Sequence, residues 1–464
     1  MTNFQSPQPN VTGLGIVASY SARFWGTVGF LGAVAGLGSA GFVALLRAVE
    51  HLTYGVKAPT LYAAALGAPS WRRVVGLVVA ALIVMAGLAL LGKRTTGGTE
   101  VSEGIWLRSG WLDWPRSLAR GVLSIVIVGM GVSLGREAAP QLFGAASGSR
   151  VAEWGDFPTW QRRLLVACGA GAGFASVYNV PLGGALMALE VLLGTLALPL
   201  VLPALLCSVT ATAVAWIFLG DRPLYAVPSF GFHPSQLVFA VVAGPLIGLL
   251  AVAWTRLIRW ANHARPAGRG RWIAPLGAFM ALALLSLQYP ELLGNGRSIV
   301  QLSLGLKLSL GLLCLLLVLK PVVTAACVAS GAPGGLFTPT LALGILFAAV
   351  CGSLFGHIYP GADPVSYELI GGGAFLAAAM QGPISGTVLV LELTRRLDPL
   401  MVPTVLAVVA ATVVARRLGA ASIYSARMPG AALDSTSPGA AVVAMYALDE
   451  SLPADLGETR PDCR

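Results

Sequence analysis

Residues 169 to 190 (GAGAGFASVYNVPLGGALMALE) return at 371 to 392 (GGGAFLAAAMQGPISGTVLVLE), eight of the 22 positions being identical at a constant offset of 202. The shared positions are Gly169/Gly371, Gly171/Gly373, Ala172/Ala374, Ala175/Ala377, Pro181/Pro383, Gly184/Gly386, Leu189/Leu391 and Glu190/Glu392. A chain that carries the same Gly- and Pro-punctuated segment twice, in apolar surroundings both times, reads as two related halves. Repeats whose helices are broken by Gly and Pro mark membrane transport proteins. A second matched pair lies upstream, GREAAP at 135 to 140 and GGLFTP at 334 to 339, with first glycine and last proline coinciding at offset 199.

The medium in which these halves fold follows from composition. Of the 464 residues 56% are apolar and 11% charged, with mean hydropathy +0.78, whereas a soluble domain carries about 25% charged residues. The chain is therefore expected to be an all-α polytopic membrane protein. Several apolar runs, such as 121 to 134 and 308 to 319, are shorter than the roughly 20 residues of a plain spanning helix. Broken helices are tolerated at membrane depth only where the freed backbone faces protein or a water-filled path. The Gly-rich breaks are thus the place to look for a site.

The net charge of +10 sits largely in short basic clusters between apolar runs, among them Arg72/Arg73, Lys93/Arg94, Arg162/Arg163 and Arg416/Arg417. These read as topological anchors in the lipid bilayer, and nucleic acid is not an expected partner. The first 23 residues lack the basic start and short apolar core of a cleaved signal, so the chain is expected to begin at Met1. The six cysteines are scattered without a CxxC, and the four histidines form no cluster; no metal, cofactor or disulfide framework is expected. No Ser/His/Asp, paired-carboxylate or phosphate-loop arrangement stands out, and the chain is not read as an enzyme. The expected organisation is a polar segment at 1–23, a membrane domain at 24–427 and a short tail at 428–464. The membrane domain divides into halves at about 24–220 and 236–427, around the Pro-rich stretch 221 to 235.

In GREAAP, glycine lets the backbone turn and the proline suits the first turn of a new helix. Such a start leaves N–H groups free at the positive end of the helix dipole, which together make an anion site. Glu137 would sit on its own anion site and compete with a free anion for those N–H groups. The pair Arg136/Glu137 reads equally well as a salt-bridged couple at a membrane boundary. GGLFTP repeats the device without the acid, so the amides around Gly335, Leu336 and Phe337 are expected to be free for a mobile anion; the alternative is a bend for close helix packing. Thr99, in GGTEVSEG, could cap a helix or point its hydroxyl at the path. Tyr424, in ASIYSAR, is a phenol near a helix end or an interfacial belt residue.

Taken together these motifs resemble the CLC family of chloride channels and proton/chloride antiporters, of the bacterial type without CBS domains. GREAAP looks like the family's GREGP, SGAPGGLFTP like its GxFxP region, YNVPLGGALMALE and GPISGTVLVLELT like its half-repeat signatures, and IYSA like the stretch with its pore tyrosine. The resemblance implies an inverted repeat of two helical halves with broken helices. It also implies a homodimer with one anion path per subunit, and an integral protein of the plasma membrane, here a bacterial inner membrane. By the same resemblance Glu137 is the gating glutamate, Leu336, Phe337, Tyr424 and more weakly Thr99 line the anion site, and chloride or a similar small anion is the cargo. The duplicated Gly/Pro helices fall where that family builds its subunit interface.

Departures from the pattern carry expectations of their own. Glu100 stands where the family has a glycine, so it must point away or be neutralised by a basic partner. Val191 occupies the position at which many antiporters of the family carry a second, proton-handling glutamate. Valine cannot carry a proton, which favours passive channel-like conduction over H+/Cl- exchange, the alternative. Glu190 could restore proton transfer, but its repeat partner Glu392 suggests a paired structural role for both. A transporter of organic anions on a similar repeat is the remoter reading.

Overall fold

The computed structural model describes residues 20–91, 100–229, 231–359, 363–395 and 400–428. Thr99 and Cys463 lie outside the described residues. Within them the chain forms seventeen α-helices and no strand. The first half comprises α1 (Ala22–Tyr54), α2 (Leu61–Gly67), α3 (Ser70–Leu90), α4 (Val101–Leu107), α5 (Trp114–Gly129), α6 (Ala138–Trp154), α7 (Thr159–Tyr178), α8 (Pro181–Leu186) and α9 (Leu198–Leu219). The second comprises α10 (Ser235–His263), α11 (Gly270–Gln288), α12 (Arg297–Leu304), α13 (Leu310–Ala329), α14 (Phe337–Ile358), α15 (Pro364–Met380), α16 (Pro383–Thr394) and α17 (Met401–Arg417). Seven helices, α1, α3, α9, α10, α11, α13 and α14, are long and apolar enough to cross a membrane. The 7-residue α4 and 8-residue α12 are far too short.

The duplicated segment folds as a duplicated structure. Helix α7 ends on Asn179 and α15 on Gln381, both left-handed (φ 58° and 60°) and both at the 202 offset. Each turn then hands over to a helix opening on proline, Pro181 in α8 and Pro383 in α16. The backbone bonds match as well: Val180 N–H to Ala175 C=O and Gly382 N–H to Ala377 C=O are each 3.1 Å. Small residues let these helices approach closely, as lipid-embedded bundles require. A side chain on Gly169 of α7 would strike the Gly144 carbonyl of α6.

The shared glutamates explain themselves at this level. Helices α8 and α16 have no side-chain cap of their own, and they lie side by side. The Glu392 carboxylate accepts the N–H groups of Leu182 (3.0 Å) and Gly183 (2.6 Å) at the start of α8. In return Glu190 accepts those of Ile384 (3.1 Å) and Ser385 (2.6 Å) at the start of α16, plus the Ser385 hydroxyl. Each half thus caps a helix of the other. After α8 the chain passes through a π-helical turn, Met187–Leu193, which carries both Glu190 and Val191.

One basic cluster departs from the anchoring expected of it. Arg73 is buried and donates to the carbonyls of Ala65 (2.8 Å) and Ser286 (3.0 Å), tying α3 to α11. Those two carbonyls satisfy the guanidinium inside the bundle.

The reciprocal caps make a symmetric prediction. Glu190→Ala and Glu392→Ala each strand helix-start donors and should each cost about 2–3 kcal/mol. Thermal unfolding of the detergent-solubilised protein reads this as two comparable drops in Tm; an unchanged Tm for either variant refutes the cap assignment.

Candidate functional site

The two GREAAP-type starts meet at the centre of the molecule. Gly135 and Gly335 exchange backbone hydrogen bonds in both directions, at 2.7 and 2.8 Å, as an isolated antiparallel bridge. A side chain on either glycine would push the Glu137 carboxyl group out of its place. This bridge brings the first turn of α6 beside that of α14. Glu137 is fully buried; its Oε1 accepts the Phe337 N–H at 2.7 Å and its Oε2 accepts the Tyr178 hydroxyl at 2.7 Å. Phe337 is the first residue of α14, whose N-terminal N–H groups favour an anion.

The carboxylate therefore sits on the other half's helix start as well as near its own, where its backbone N–H also faces it. The bridge is the physical reason, since it holds α14 within reach of the Glu137 side chain. Two expectations change accordingly. The Phe337 amide is bonded to Glu137 rather than free, and the Gly335 N–H is spent on Gly135, which makes Gly335 a bridge residue. Leu336 precedes α14 and is buried. The Phe337 ring packs edge-on against Phe174 at 4.7 Å and beside Tyr178 at 5.2 Å.

Two cavities open near the bridge, and the residues flanking Glu137 each line one of them, Arg136 the first and Ala138 the second. A wide one of about 630 Å³ is lined by Arg47, Glu50, Lys57, Arg136, Asn295 and Arg297 among others. Arg136 also stacks over the Tyr178 ring at 5.4 Å, rather than pairing with Glu137 as a surface couple would. A narrow one of about 60 Å³ is lined by Glu100, Arg120, Gln141, Gly335, Leu336, Tyr424 and Arg427. The Tyr424 hydroxyl is buried, faces Gln141 and makes no hydrogen bond of normal geometry. It belongs to this cavity and not to an interfacial belt.

Glu100 is paired with basic side chains, as expected of an acid at this motif. Its Oε1 accepts from Arg120 Nη2 at 2.6 Å and from Arg427 Nη2 at 3.0 Å. Arg427 reaches on to the Gly334 carbonyl at 2.9 Å, so the residues just past Tyr424 are fastened to the α14 start. Val191 is half-buried in the π-turn, near Gly382. Glu190, committed to α16, is not turned toward Glu137.

Sequence reasoning missed two residues here. Tyr178 stands opposite Met380 in the repeat, and that polar-for-apolar difference was the available signal. Lys320 is the charged residue inside the apolar run of α13, and a charge at such depth is a functional candidate by default. It is 1% exposed, and Nζ donates to Gly294 C=O (2.8 Å), Ser133 Oγ (2.9 Å) and Leu292 C=O (3.1 Å). All three ammonium donors are thus used. They hold the floor of the wide cavity against the strand of chain that leads into Gly135.

The family model described as voltage gated chloride channel matches residues 75–416. The chain belongs to the voltage-gated chloride channel family. A putative ClcB-like chloride channel protein of Ralstonia nicotianae is 33% identical over 421 residues, covering 86% of this chain and 94% of its own length. A voltage-gated ClC-type chloride channel, ClcB, of Citrobacter koseri is 31% identical over 406 residues, covering 85% and 96%. Among solved structures, a slow cyanobacterial Cl-/H+ antiporter superposes with TM-score 0.77 at 21% identity, over 93% of this chain and 100% of that one. A CLC-type fluoride/proton antiporter gives 0.71 at 20%, over 88% and 98%. The CLC fold is thus shared, and the chain is an integral membrane protein built as an inverted repeat.

The Glu100 pairing can be probed directly. Glu100→Gln keeps the shape of the side chain but removes the charge partner from two arginines, and should lower stability by about 1–3 kcal/mol. A Tm series in detergent checks this, with part of the loss restored by raising chloride, which can lie between the guanidinium groups.

Proposed function

We infer that this chain conducts chloride or a similar small anion across a bilayer, along a path from the wide cavity past the Phe337 amide to the narrow cavity, with Glu137 as gate. The observation that carries this reading is the Glu137 carboxylate seated on the α14 N-terminus, with its neighbours Arg136 and Ala138 each lining an arginine-bearing cavity. Relatives that cover most of this chain are named chloride channels, which supports chloride as the cargo.

The chemistry is one of substitution. A carboxylate and a halide both want the N–H donors at the positive end of a helix, so one can replace the other in the seat. When Glu137 is protonated or displaced, a dehydrated anion takes its place at the amides of Phe337 and Leu336, with the unpartnered Tyr424 hydroxyl as a further donor. Thr99, which lies outside the described residues, is kept as a second hydroxyl on that side. Arg136 draws anions into the wide cavity, and Arg120 and Arg427 do so in the narrow one.

Passive conduction is the favoured mode. Val191 offers no proton acceptor, and Glu190 is engaged by three donors on α16. The second reading is H+/Cl- exchange, favoured by the exclusive competition of carboxylate and anion for one seat. A homodimer fits the exposed apolar side chains that α8, α9, α16 and α17 present, Leu182, Leu202, Ile384, Val405 and Val409. The bacterial inner membrane is the proposed location.

Reconstituted vesicles in which chloride and pH are recorded together test all of this. Glu137→Ala or Glu137→Gln should change chloride flux several-fold and abolish its dependence on pH; wild-type flux and pH profile in both variants would sink the gate. Proton movement driven uphill by a chloride gradient in the unmodified protein would replace conduction by exchange.

A further inference from the structure

We propose that the Tyr178 hydroxyl is the latch that holds Glu137 in the anion seat, acting through a line of hydrogen-bond donors that begins at the wall of the wide cavity. The proposal rests on the gate reading and adds a positioning residue to it.

The direction of the hydrogen bonds follows from proton count. An ionised carboxylate only accepts, so Tyr178 donates its single proton to Glu137 Oε2 at 2.7 Å. The 2.6 Å contact between Tyr178 and Thr338 must then have the Thr338 hydroxyl as donor. Thr338 Oγ1 is left to accept, and Asn295 Nδ2 stands at 3.5 Å, on the wall of the wide cavity. Asn295, Thr338 and Tyr178 thus point their donors inward in sequence, and aligned donors of this kind polarise one another. A protonated Glu137 carries a proton where Tyr178 would donate. The line must then break or reverse, so it favours the ionised acid in the seat and loosens when the acid is neutralised.

The duplication supplies an internal control. Met380 holds the position equivalent to Tyr178 at the end of α15, and it is buried to the same 1% exposure without any hydroxyl. The helix end therefore does not need a phenol to pack. The hydroxyl is present only in the half that has an acid to hold, and its two bonds go to the acid and to the helix on which the acid rests.

Other ionisable groups around Glu137 are Arg136 on its own turn, Tyr225 from the segment between the halves and Tyr424 beyond α17. None of them donates a hydrogen bond to its carboxylate, whose partners are the Tyr178 hydroxyl, the Phe337 amide and its own backbone N–H.

The test is chloride efflux from vesicles containing the full chain, followed over an acid-to-neutral pH series. Tyr178→Phe keeps the ring between Phe174, Phe337 and Arg136 and deletes only the hydroxyl. Its flux at neutral pH should rise roughly tenfold, the scale of a lost hydrogen bond to a charged group, and its half-activation pH should move upward. Thr338→Val should act in the same direction and more weakly, while Thr338→Ser, which retains the hydroxyl, should stay at the wild-type profile. In a Glu137→Ala background Tyr178→Phe should change nothing further. An equal change in that background overturns the latch, because the hydroxyl would then act on the anion path itself. So does an unshifted pH profile in both Tyr178→Phe and Thr338→Val. Failure of Glu137→Ala alone to alter flux overturns the gate, and the latch with it.

Discussion

A helix that begins inside a membrane exposes N–H groups with no water to meet them, and the structure of this chain is organised around that one deficit. Four helices begin inside the repeated motifs without a side-chain cap hydrogen bond, α6, α8, α14 and α16. Three of them, α8, α14 and α16, are completed by a glutamate that arrives from the opposite half. For α8 and α16 the arrangement is reciprocal, since Glu392 on α16 braces α8 while Glu190, in the turn that follows α8, braces α16. For α14 it is one-sided, because the acid comes from a chain turn beside two cavities. The same physical need is thus met twice by a reciprocal pair and once by the acid that the proposed function makes the gate.

How much of this was legible beforehand depends on whether the determinant was local. The duplicated turn was, because Gly, Pro and the 202-residue offset are written in the chain, and the left-handed Asn179 and Gln381 follow from them. The acid at position 137 and the extra charge at position 100 were equally visible as polar residues in greasy surroundings. Which amide Glu137 would meet was not, since that depends on the Gly135–Gly335 bridge between segments 200 positions apart. For the same reason Gly335 looked like an anion ligand when it is a fastening.

Tyr178 and Lys320 show the other limit. A phenol at the end of an apolar helix has an ordinary packing explanation, and only its distance to Oε2 of Glu137 overrides it. Lys320 is a more instructive miss. Its charge interrupts an apolar run, which is signal enough, but its partners are backbone carbonyls and a serine hydroxyl that no pattern of side chains would nominate. Residues whose role is to hold main chain leave little trace in motif comparison.

The Gly135–Gly335 bridge has a mechanical meaning. Two peptide groups bonded in both directions cannot slide or hinge past one another without breaking both bonds at once, so the facing ends of α6 and α14 form a stiff frame at the middle of the molecule. Within a frame that does not yield, whatever fills the seat must match it in charge and size, and on the reading proposed above traffic is governed by the swing of one side chain. On that reading no large domain motion is needed for each ion; the moving part weighs no more than a carboxyl group on two methylenes.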